Sequence, residues 1–466
     1  MFEDEDDDFD DVNVHEDLIR FEAFLNGGEI GFLDSDRWEA LIDHFIIAGN
    51  YQKALLASEE ALSQFSYNNL FKLRRAQAFS GIGKLKEAVK LLTELERMGM
   101  PSFELLLTKA SVFSQLKDST NAIKYFQAAL SVAEPEDRDE IYLDLAVEYE
   151  NANKWKQALE VLQEAIKKNP HNEGAIYEIA FCYDQLGEYE KSIECYSDFI
   201  DENPYSFTAW YNLGNAYLKI ENFEQAIWAY DYCIIINDDF GPVYFNLGNA
   251  YLSMEKYTKA IESFETSIKL DGDDPMAYCY VGESYEQLEE YELARHYYQR
   301  SLELAPLLAE AWLGLGIVED LEGKTKAGLV LLQKAAELAP DNPGIIHVLA
   351  GAYEKLEQFD IASDNYLIAL GLDPTDSECL MNYVHMLEKT ESVLSAKTFL
   401  DVFEKTNPEN EYIPLLKIDL WWKLGEKKGA LELFKQCIER DREHALELFE
   451  INPALKNVAK FVLLAD

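Results

Sequence analysis

Apolar residues along this chain recur every three or four positions in short segments, and the segments themselves recur at a fixed distance. The heptapeptide NLGNAYL stands at residues 212–218 and again, 34 residues later, at 246–252. Apolar spacing of this kind is typical of an amphipathic helix. Each period has room for two such helices, so the pattern predicts a long series of helix pairs.

A small residue in the second half of each period marks the repeat along most of the chain. Successive marker positions are 34 residues apart, except for one step of 36 residues between Ala122 and Ala158. The markers are Ala54, Ala88, Ala122, Ala158, Ser192, Ala226, Ala260, Ala294, Gly328, Ala362, Ala396 and Ala430. A second position, twelve residues earlier, is Ala or Gly through the middle of the chain. Two helices approach closely only where side-chain bulk is missing, so these residues predict tightly packed pairs.

Aromatic residues, leucines and prolines at fixed places in the period make the pattern specific. The period that starts at residue 207 carries Trp210, Leu213, Gly214, Tyr217, Ala226 and Tyr230. This arrangement resembles the tetratricopeptide repeat, in which W-x2-L-G-x2-Y is followed by A-x3-F and a late proline. The resemblance implies an all-α, right-handed superhelical α-solenoid of about twelve repeats with a C-terminal capping helix.

The expected domain organisation is one repeat array with a short addition at each end. We expect repeats over residues 35–444, with units starting at 35, 69, 103, 139, 173, 207, 241, 275, 309, 343, 377 and 411. Residues 1–17 contain ten Asp or Glu and no Lys or Arg, so we expect a disordered acidic tail there. Residues 18–34 are expected to form a lead-in helix and turn, and residues 445–466 a capping helix.

The charge balance narrows the class of partner. The chain has 87 acidic and 41 basic residues and a formal net charge of -46. Such a surface repels phosphate backbones and anionic lipids, so we expect neither nucleic acid nor membrane as a partner, and favour a Lys/Arg-rich protein or peptide. The acidic N-terminus lacks the basic start of a secretory signal, and the six cysteines contain no CxxC pair. We therefore expect a cytoplasmic protein.

The sequence contains no motif of a catalytic or metal site. None of the seven histidines stands in HExxH, and neither GxxxxGK[ST] nor GxSxG occurs. His347 and His385 fall on the first helices of adjacent repeats and could approach each other or Cys379, but scattered groove or surface histidines are the simpler interpretation. We expect no enzyme activity, no catalytic residues, no cofactor and no metal.

Binding residues are expected on the face of the first helices that the packing positions leave open, which in this family lines a concave groove. Helical spacing assigns the fifth, sixth and ninth residues of each unit to that face. The candidates so found are Tyr177, Phe181, Tyr211, Asn212, Asn215, Phe245, Asn246, Asn249, Tyr280 and Glu283. Asparagine both donates and accepts hydrogen bonds, so these residues could hold the backbone of an extended peptide. The alternative is that they tie their own helices together or face water.

Carboxylates recur at the twelfth position of the units and extend the candidate groove. They include Glu286, Asp320 and Glu354. A carboxylate in the last turn of a helix opposes the helix dipole, so stability alone does not favour this placement. The pattern predicts a negative groove for a basic segment, with the solvated face of an acidic protein as the alternative.

These observations predict a non-enzymatic scaffold or adaptor that binds an extended, basic peptide in its groove. One alternative is a chaperone-like or regulatory protein that shields a basic or unstructured client. Another is a helper subunit of an enzyme complex, in which the activity belongs to a partner.

Overall fold

Helices account for all regular structure in the part of the chain that the computed structural model describes, residues 7–99 and 102–465. The predicted all-α architecture is therefore confirmed. The chain divides into two units, Met1–Asn237 and Asp238–Asp466, and each unit is built from pairs of helices joined by short turns.

The first unit contains thirteen α-helices among its described residues, and a single 3₁₀ turn at Pro135–Asp137. The helices are α1 (Asp7–Leu25), α2 (Ser35–Ile47), α3 (Tyr51–Gln64), α4 (Asn69–Gly81), α5 (Leu85–Arg97), α6 (Phe103–Gln115), α7 (Ser119–Val132), α8 (Arg138–Asn151), α9 (Trp155–Lys168), α10 (Glu173–Leu186), α11 (Tyr189–Glu202), α12 (Phe207–Lys219) and α13 (Phe223–Ile236).

The second unit continues the same alternation of first and second helices and ends in short helices. Its helices are α14 (Gly241–Ser253), α15 (Tyr257–Asp271), α16 (Pro275–Gln287), α17 (Tyr291–Leu304), α18 (Ala309–Leu321), α19 (Thr325–Leu338), α20 (Pro343–Lys355), α21 (Phe359–Leu372), α22 (Ser377–Thr390), α23 (Val393–Thr406), α24 (Ile413–Lys423), α25 (Lys427–Arg440), α26 (Arg442–Leu446), α27 (Leu448–Ile451) and α28 (Ala459–Ala465).

Local sequence sets where each helix begins and ends. Most first helices have an N-cap residue whose side chain accepts a hydrogen bond from a backbone N–H of the first turn. Asn172 accepts from Ala175 N, and Asp376 accepts from Cys379 N. Except between α22 and α23, the turn between the two helices of a pair contains a residue with positive φ, such as Glu255 at 56°. That conformation reverses the chain within three residues between Ser253 and Tyr257.

The two helices of a repeat meet where one of them has no side chain. A Cβ atom added to Gly248 would lie 2.7 Å from the ring of Phe264, and one added to Gly316 would lie 2.6 Å from the side chain of Leu332. Both distances are shorter than real carbon contacts, so the period requires glycine at these positions. The repeated small residues therefore follow from close packing within each pair.

The structure corrects the expectation for the N-terminal segment. Residues 7–17, expected to be part of a disordered tail, are helical because α1 begins at Asp7. Asp17 is buried, and its carboxylate accepts a hydrogen bond of 2.7 Å from Arg37 Nε on α2. This ion pair links α1 to α2, in a segment whose acidic composition alone does not favour a helix. Residues 1–6 of the expected tail lie outside the described residues.

The C-terminal segment also differs from the single capping helix expected over residues 445–466. It forms the short helices α26, α27 and α28 with a 3₁₀ turn at Pro453–Asn457, because Pro453 cannot continue a helix from the residue before it. The segment nevertheless covers the last repeat. Phe461 is buried against Phe434 of α25, with ring centroids 5.0 Å apart.

A membrane-spanning segment was not expected, and the described helices include none that is both long and apolar enough to cross a bilayer.

Two helical glycines test the packing rule within one unit. We predict that Gly248→Ala destabilises the protein by about 1 to 3 kcal/mol, because the added methyl group overlaps the Phe264 ring. Gly351 also lies inside a first helix, but the nearest atom to an added Cβ is 3.9 Å away. Gly351→Ala is therefore expected to raise stability by about 1 kcal/mol through helix propensity. Urea unfolding monitored by circular dichroism measures both, and equal effects of the two substitutions would contradict the packing rule.

Candidate functional site

The first helices of neighbouring repeats lie side by side within each unit. In the first unit α10 contacts both α8 and α12, and in the second unit α18 contacts both α16 and α20. Polar contacts between them join residues about one period apart, such as Lys355 with Asp320. We call the surface formed by the fifth, sixth, ninth, twelfth and thirteenth residues of these helices the first-helix face.

In the first unit the predicted aromatic residues are partly exposed on this face. Tyr177 and Phe181 of α10 are both exposed, and Phe181 packs edge-on against Trp155 with ring centroids 5.6 Å apart. The Tyr177 hydroxyl accepts a hydrogen bond of 3.4 Å from Thr208 Oγ1 on the next first helix. Tyr211 is half-buried and contacts the ring of Tyr230 at 6.2 Å.

The asparagines of α12 are more involved in internal contacts than the sequence suggests. Asn215 Oδ1 accepts a hydrogen bond of 2.8 Å from the Tyr230 hydroxyl, which ties α12 to its own second helix. Asn212 is 4% exposed, and its amide nitrogen is buried without a hydrogen-bond partner. Asn212 is therefore buried in the structure and is not the open groove residue that helical spacing predicts.

In the second unit an aromatic cluster supports the first-helix face of that unit. Phe245 of α14 and Tyr280 of α16 are half-buried with ring centroids 5.8 Å apart, and both contact Phe264. Asn246 and Asn249, also on α14, are half-buried. Phe245 and Tyr280 lie on neighbouring first helices, so the structure brings these two predicted aromatic residues together on one surface.

Several carboxylates at the twelfth position are paired with lysines of the same chain. In each pair the lysine stands at the thirteenth position of the following repeat, 35 residues later. The Nζ–O distances are 4.0 Å for Asp184–Lys219, 2.5 Å for Asp320–Lys355 and 3.0 Å for Glu388–Lys423. We call these three the acid–lysine pairs. They neutralise much of the charge that the sequence assigns to the groove.

Other carboxylates of this face accept hydrogen bonds from neutral groups. The hydroxyl of Tyr366 donates to Glu354 at 3.0 Å, and the thiol of Cys182 donates to Glu150 at 3.4 Å. Burial raises the pKa of Glu150 to about 6, since the charged form is poorly solvated there.

Glu286, like Glu150 and Glu354, is a twelfth-position carboxylate without a lysine partner among the described residues. The thirteenth position of the following repeat is Leu321 instead of lysine. Glu286 is 8% exposed and accepts a hydrogen bond of 2.8 Å from the Tyr298 hydroxyl. Its neighbour Glu283 is half-buried one helical turn away. Neither carboxylate forms an ion pair with any described Lys, Arg or His residue, and we call these two residues the unpaired acid site.

Burial dominates the electrostatics of the unpaired acid site. It raises the pKa of Glu286 to about 7, and it also raises the pKa of Glu283. The hydrogen bond from Tyr298 partly counters the effect at Glu286 by stabilising the ionised carboxylate. The site is therefore a place where negative charge is incompletely compensated by this chain.

One polar cleft on the first-helix face was missed by the sequence analysis. It has a volume of about 290 Å³ and is lined in part by Gln77, Ser80, Thr108 and Gln115 of α4 and α6. Gln77 Nε2 donates to Thr108 Oγ1 at 3.2 Å, and Ser80 Oγ donates to Gln115 Oε1 at 3.1 Å. The sequence signal for this cleft is a set of uncharged polar residues at the ninth and twelfth positions of one repeat, Gln77 and Ser80, and at the sixth and thirteenth positions of the next, Thr108 and Gln115.

Family models of the tetratricopeptide repeat match the chain over residues 73–138, 183–242, 242–274 and 275–308. A model of anaphase-promoting complex, cyclosome, subunit 3 matches residues 115–199. Among curated proteins, none matches the chain in sequence.

Several solved structures are similar to this chain. The crystal structure of the APC/C hetero-tetramer Cut9-Hcn1 shares 16% identity over 88% of this chain and 95% of that chain, with a TM-score of 0.44. Yeast Tom70 shares 18% identity over 91% of this chain and 96% of that chain, with a TM-score of 0.48. YrrB, described as a TPR protein with an unusual peptide-binding site, shares 23% identity over 40% of this chain and 96% of that chain, with a TM-score of 0.32.

The raised pKa of Glu286 predicts a specific pH dependence of stability. The folded-state pKa of about 7 lies above the ordinary glutamate pKa of 4.5, so the stability that this group contributes is present below about pH 4.5 and is lost as pH rises through 7. Between pH 5 and 8, this group should lower the free energy of unfolding of the wild type by a value on the order of 3 kcal/mol. We expect this decrease to be absent in Glu286→Gln. Tyr298→Phe should move the loss to higher pH. Urea unfolding across this range measures both, and parallel profiles for wild type and Glu286→Gln would contradict the assignment.

Proposed function

Because the chain is a tetratricopeptide repeat protein, we propose that it serves as a protein-interaction scaffold whose first-helix face binds an extended segment of a partner protein. The proposed role involves no reaction on the partner. The segment is recognised in the second unit, where the unpaired acid site takes one Lys or Arg side chain.

The observation that carries this proposal is the missing lysine opposite Glu286. In three repeats a carboxylate at the twelfth position meets a lysine of the next repeat, at distances from 2.5 to 4.0 Å. Beside Glu286 that lysine is replaced by Leu321. A cation from a partner would therefore complete an arrangement that the chain itself completes elsewhere.

The physical setting favours a long cationic side chain. A carboxylate that is 8% exposed is poorly hydrated, so a hydrogen-bonded cation restores more free energy there than at an open surface. Leu321 is 50% exposed and offers apolar area for the methylene stem of a lysine or arginine.

The rest of the segment would lie along the same face as an extended chain. Asn249 on α14 is half-buried and carries both a donor and an acceptor for a peptide backbone. The net charge of -46 adds long-range attraction for a basic partner. That attraction weakens with salt, because the Debye length is about 8 Å at physiological ionic strength.

Replacing the missing lysine gives the sharpest test. Twelve-residue peptides selected from a random displayed library on the full-length protein should be enriched in Lys or Arg. We predict that Leu321→Lys weakens their binding about tenfold or more, because an internal ammonium then pairs with Glu286. The variant should fold, since lysine occupies the equivalent position in three other repeats. Fluorescence anisotropy measures the dissociation constants.

A matched control separates the site from the change in net charge. Leu367 on the second helix α21 is 45% exposed, and Leu367→Lys adds the same charge away from the first-helix face. This variant should bind the peptides within about twofold of wild type. Selection of peptides without basic residues, or equal binding by Leu321→Lys and wild type, would refute the proposal.

A further inference from the structure

The described residues contain two groups in which histidine, acidic or cysteine side chains could together hold a metal ion. One group is His385, Glu388 and Asp419. Lys423 Nζ already lies 2.6 Å from Asp419 Oδ2 and 3.0 Å from Glu388 Oε2. An ammonium group therefore neutralises this group, and it has no need of a metal ion.

The other group is His347 of α20 with Asp376 and Cys379 at the start of α22. One ligand atom from each of these side chains lies within 4.8 Å of the others, and His347 Nδ1 is 3.5 Å from Asp376 Oδ2. Within the described part of the chain, no lysine or arginine forms an ion pair with Asp376. Asp376 belongs to the turn before α22, so helical spacing alone does not align it with His347.

The start of α22 holds Asp376 and Cys379 close together. Asp376 is the N-cap, and its Oδ1 accepts a hydrogen bond of 2.9 Å from the backbone nitrogen of Cys379. Capping occupies one carboxylate oxygen and leaves Oδ2 facing His347. The cap also fixes the first turn of the helix, which holds the Cys379 side chain beside the same carboxylate.

Contacts on the side of the ring opposite to Asp376 orient the imidazole of His347. Its Nε2 lies 3.0 Å from the side-chain amide of Asn382, and its ring contacts Tyr366 at 5.9 Å between centroids. Amide oxygen and nitrogen exchange places by rotation, so Asn382 can accept the Nε2–H. A histidine held in this tautomer presents Nδ1 as a metal ligand, and a hydrogen-bond partner on the other nitrogen is usual for metal-binding histidines.

We propose that His347 Nδ1, Asp376 Oδ2 and Cys379 Sγ bind a Zn²⁺ ion that links two neighbouring repeats of the second unit. Nitrogen, oxygen and sulfur donors together suit Zn²⁺, and ligand atoms around a tetrahedral zinc ion lie about 3.5 Å apart. The His347–Asp376 distance of 3.5 Å already fits. Water takes the fourth position, since His347 and Asp376 are partly open to solvent while Cys379 is fully buried.

Binding is an ordinary ligand exchange. The Cys379 thiol loses its proton to solvent as the sulfur–zinc bond forms, and the two anionic ligands balance the charge of the ion. The ion joins α20 to α22, so it stabilises the contact between two repeats. This inference does not depend on the proposed peptide-binding function, because its residues lie on different first helices from the unpaired acid site.

Cobalt substitution tests the site directly in the full-length protein. Titration with Co²⁺ should give a sulfur-to-cobalt charge-transfer band in the near ultraviolet and tetrahedral d–d bands in the visible, saturating at one equivalent and displaced by Zn²⁺. Cys379→Ser and His347→Ala should lose these bands. His385→Ala should keep them, because the group around His385 is neutralised by Lys423.

A second measurement distinguishes the loss of metal binding from a failure to fold. Asp376→Asn preserves the helix cap, since asparagine is an equally good N-cap residue, but it removes the anionic ligand. We expect this variant to unfold at the same temperature as wild type without metal and to bind Zn²⁺ about tenfold or more weakly by calorimetry. Absence of the charge-transfer band in wild type, its retention in Cys379→Ser, or unchanged Zn²⁺ affinity in Asp376→Asn would overturn the proposal.

Discussion

The close approach of two helices at a position with no side-chain bulk is the constraint on which the rest of this structure depends. At Gly248 even one methyl group would overlap the ring of the facing residue, Phe264. Most repeats have a small residue at the point where their two helices approach most closely, so the small positions recur every 34 residues through most of the chain. The turn between the helices is equally constrained, because a residue with positive φ must reverse the chain within three residues.

This packing sets the chemistry of the surface as well. With one face of every first helix committed to its own second helix, another face lies against the first helix of the next repeat. Residues 31 to 35 positions apart then become neighbours, which is why Asp320 meets Lys355 and Thr208 meets Tyr177. Where the residue 35 positions later is not lysine, as Leu321 is for Glu286, the carboxylate has no such partner. In a repeat protein, the informative site is the place where the repeated pattern fails.

The fold could be predicted from the sequence because packing within a repeat involves residues close together in the chain, and their spacing is visible in one sequence. The candidate site was harder to predict. Helical spacing assigns Asn212 to a face, but it does not show that this residue is buried. The acid–lysine pairs join the twelfth position of one repeat to the thirteenth position of the next, and helical spacing assigned only the twelfth position to the groove. The approach of His347 to Asp376 joins a helix to a turn, where no periodic rule applies. The helix that includes residues 7–17 is linked to α2 by the ion pair of the buried Asp17 with Arg37, which composition does not reveal.

Hydrogen exchange with and without a bound peptide tests most directly the central claim that a partner occupies the first-helix face. A basic peptide selected on the protein should slow amide exchange in the last turns of α16 and α18, where Glu286 and Leu321 lie. The second helices α17 and α19 should exchange at the same rate with and without peptide. Protection confined to the second helices, with no change in α16 and α18, would contradict the account.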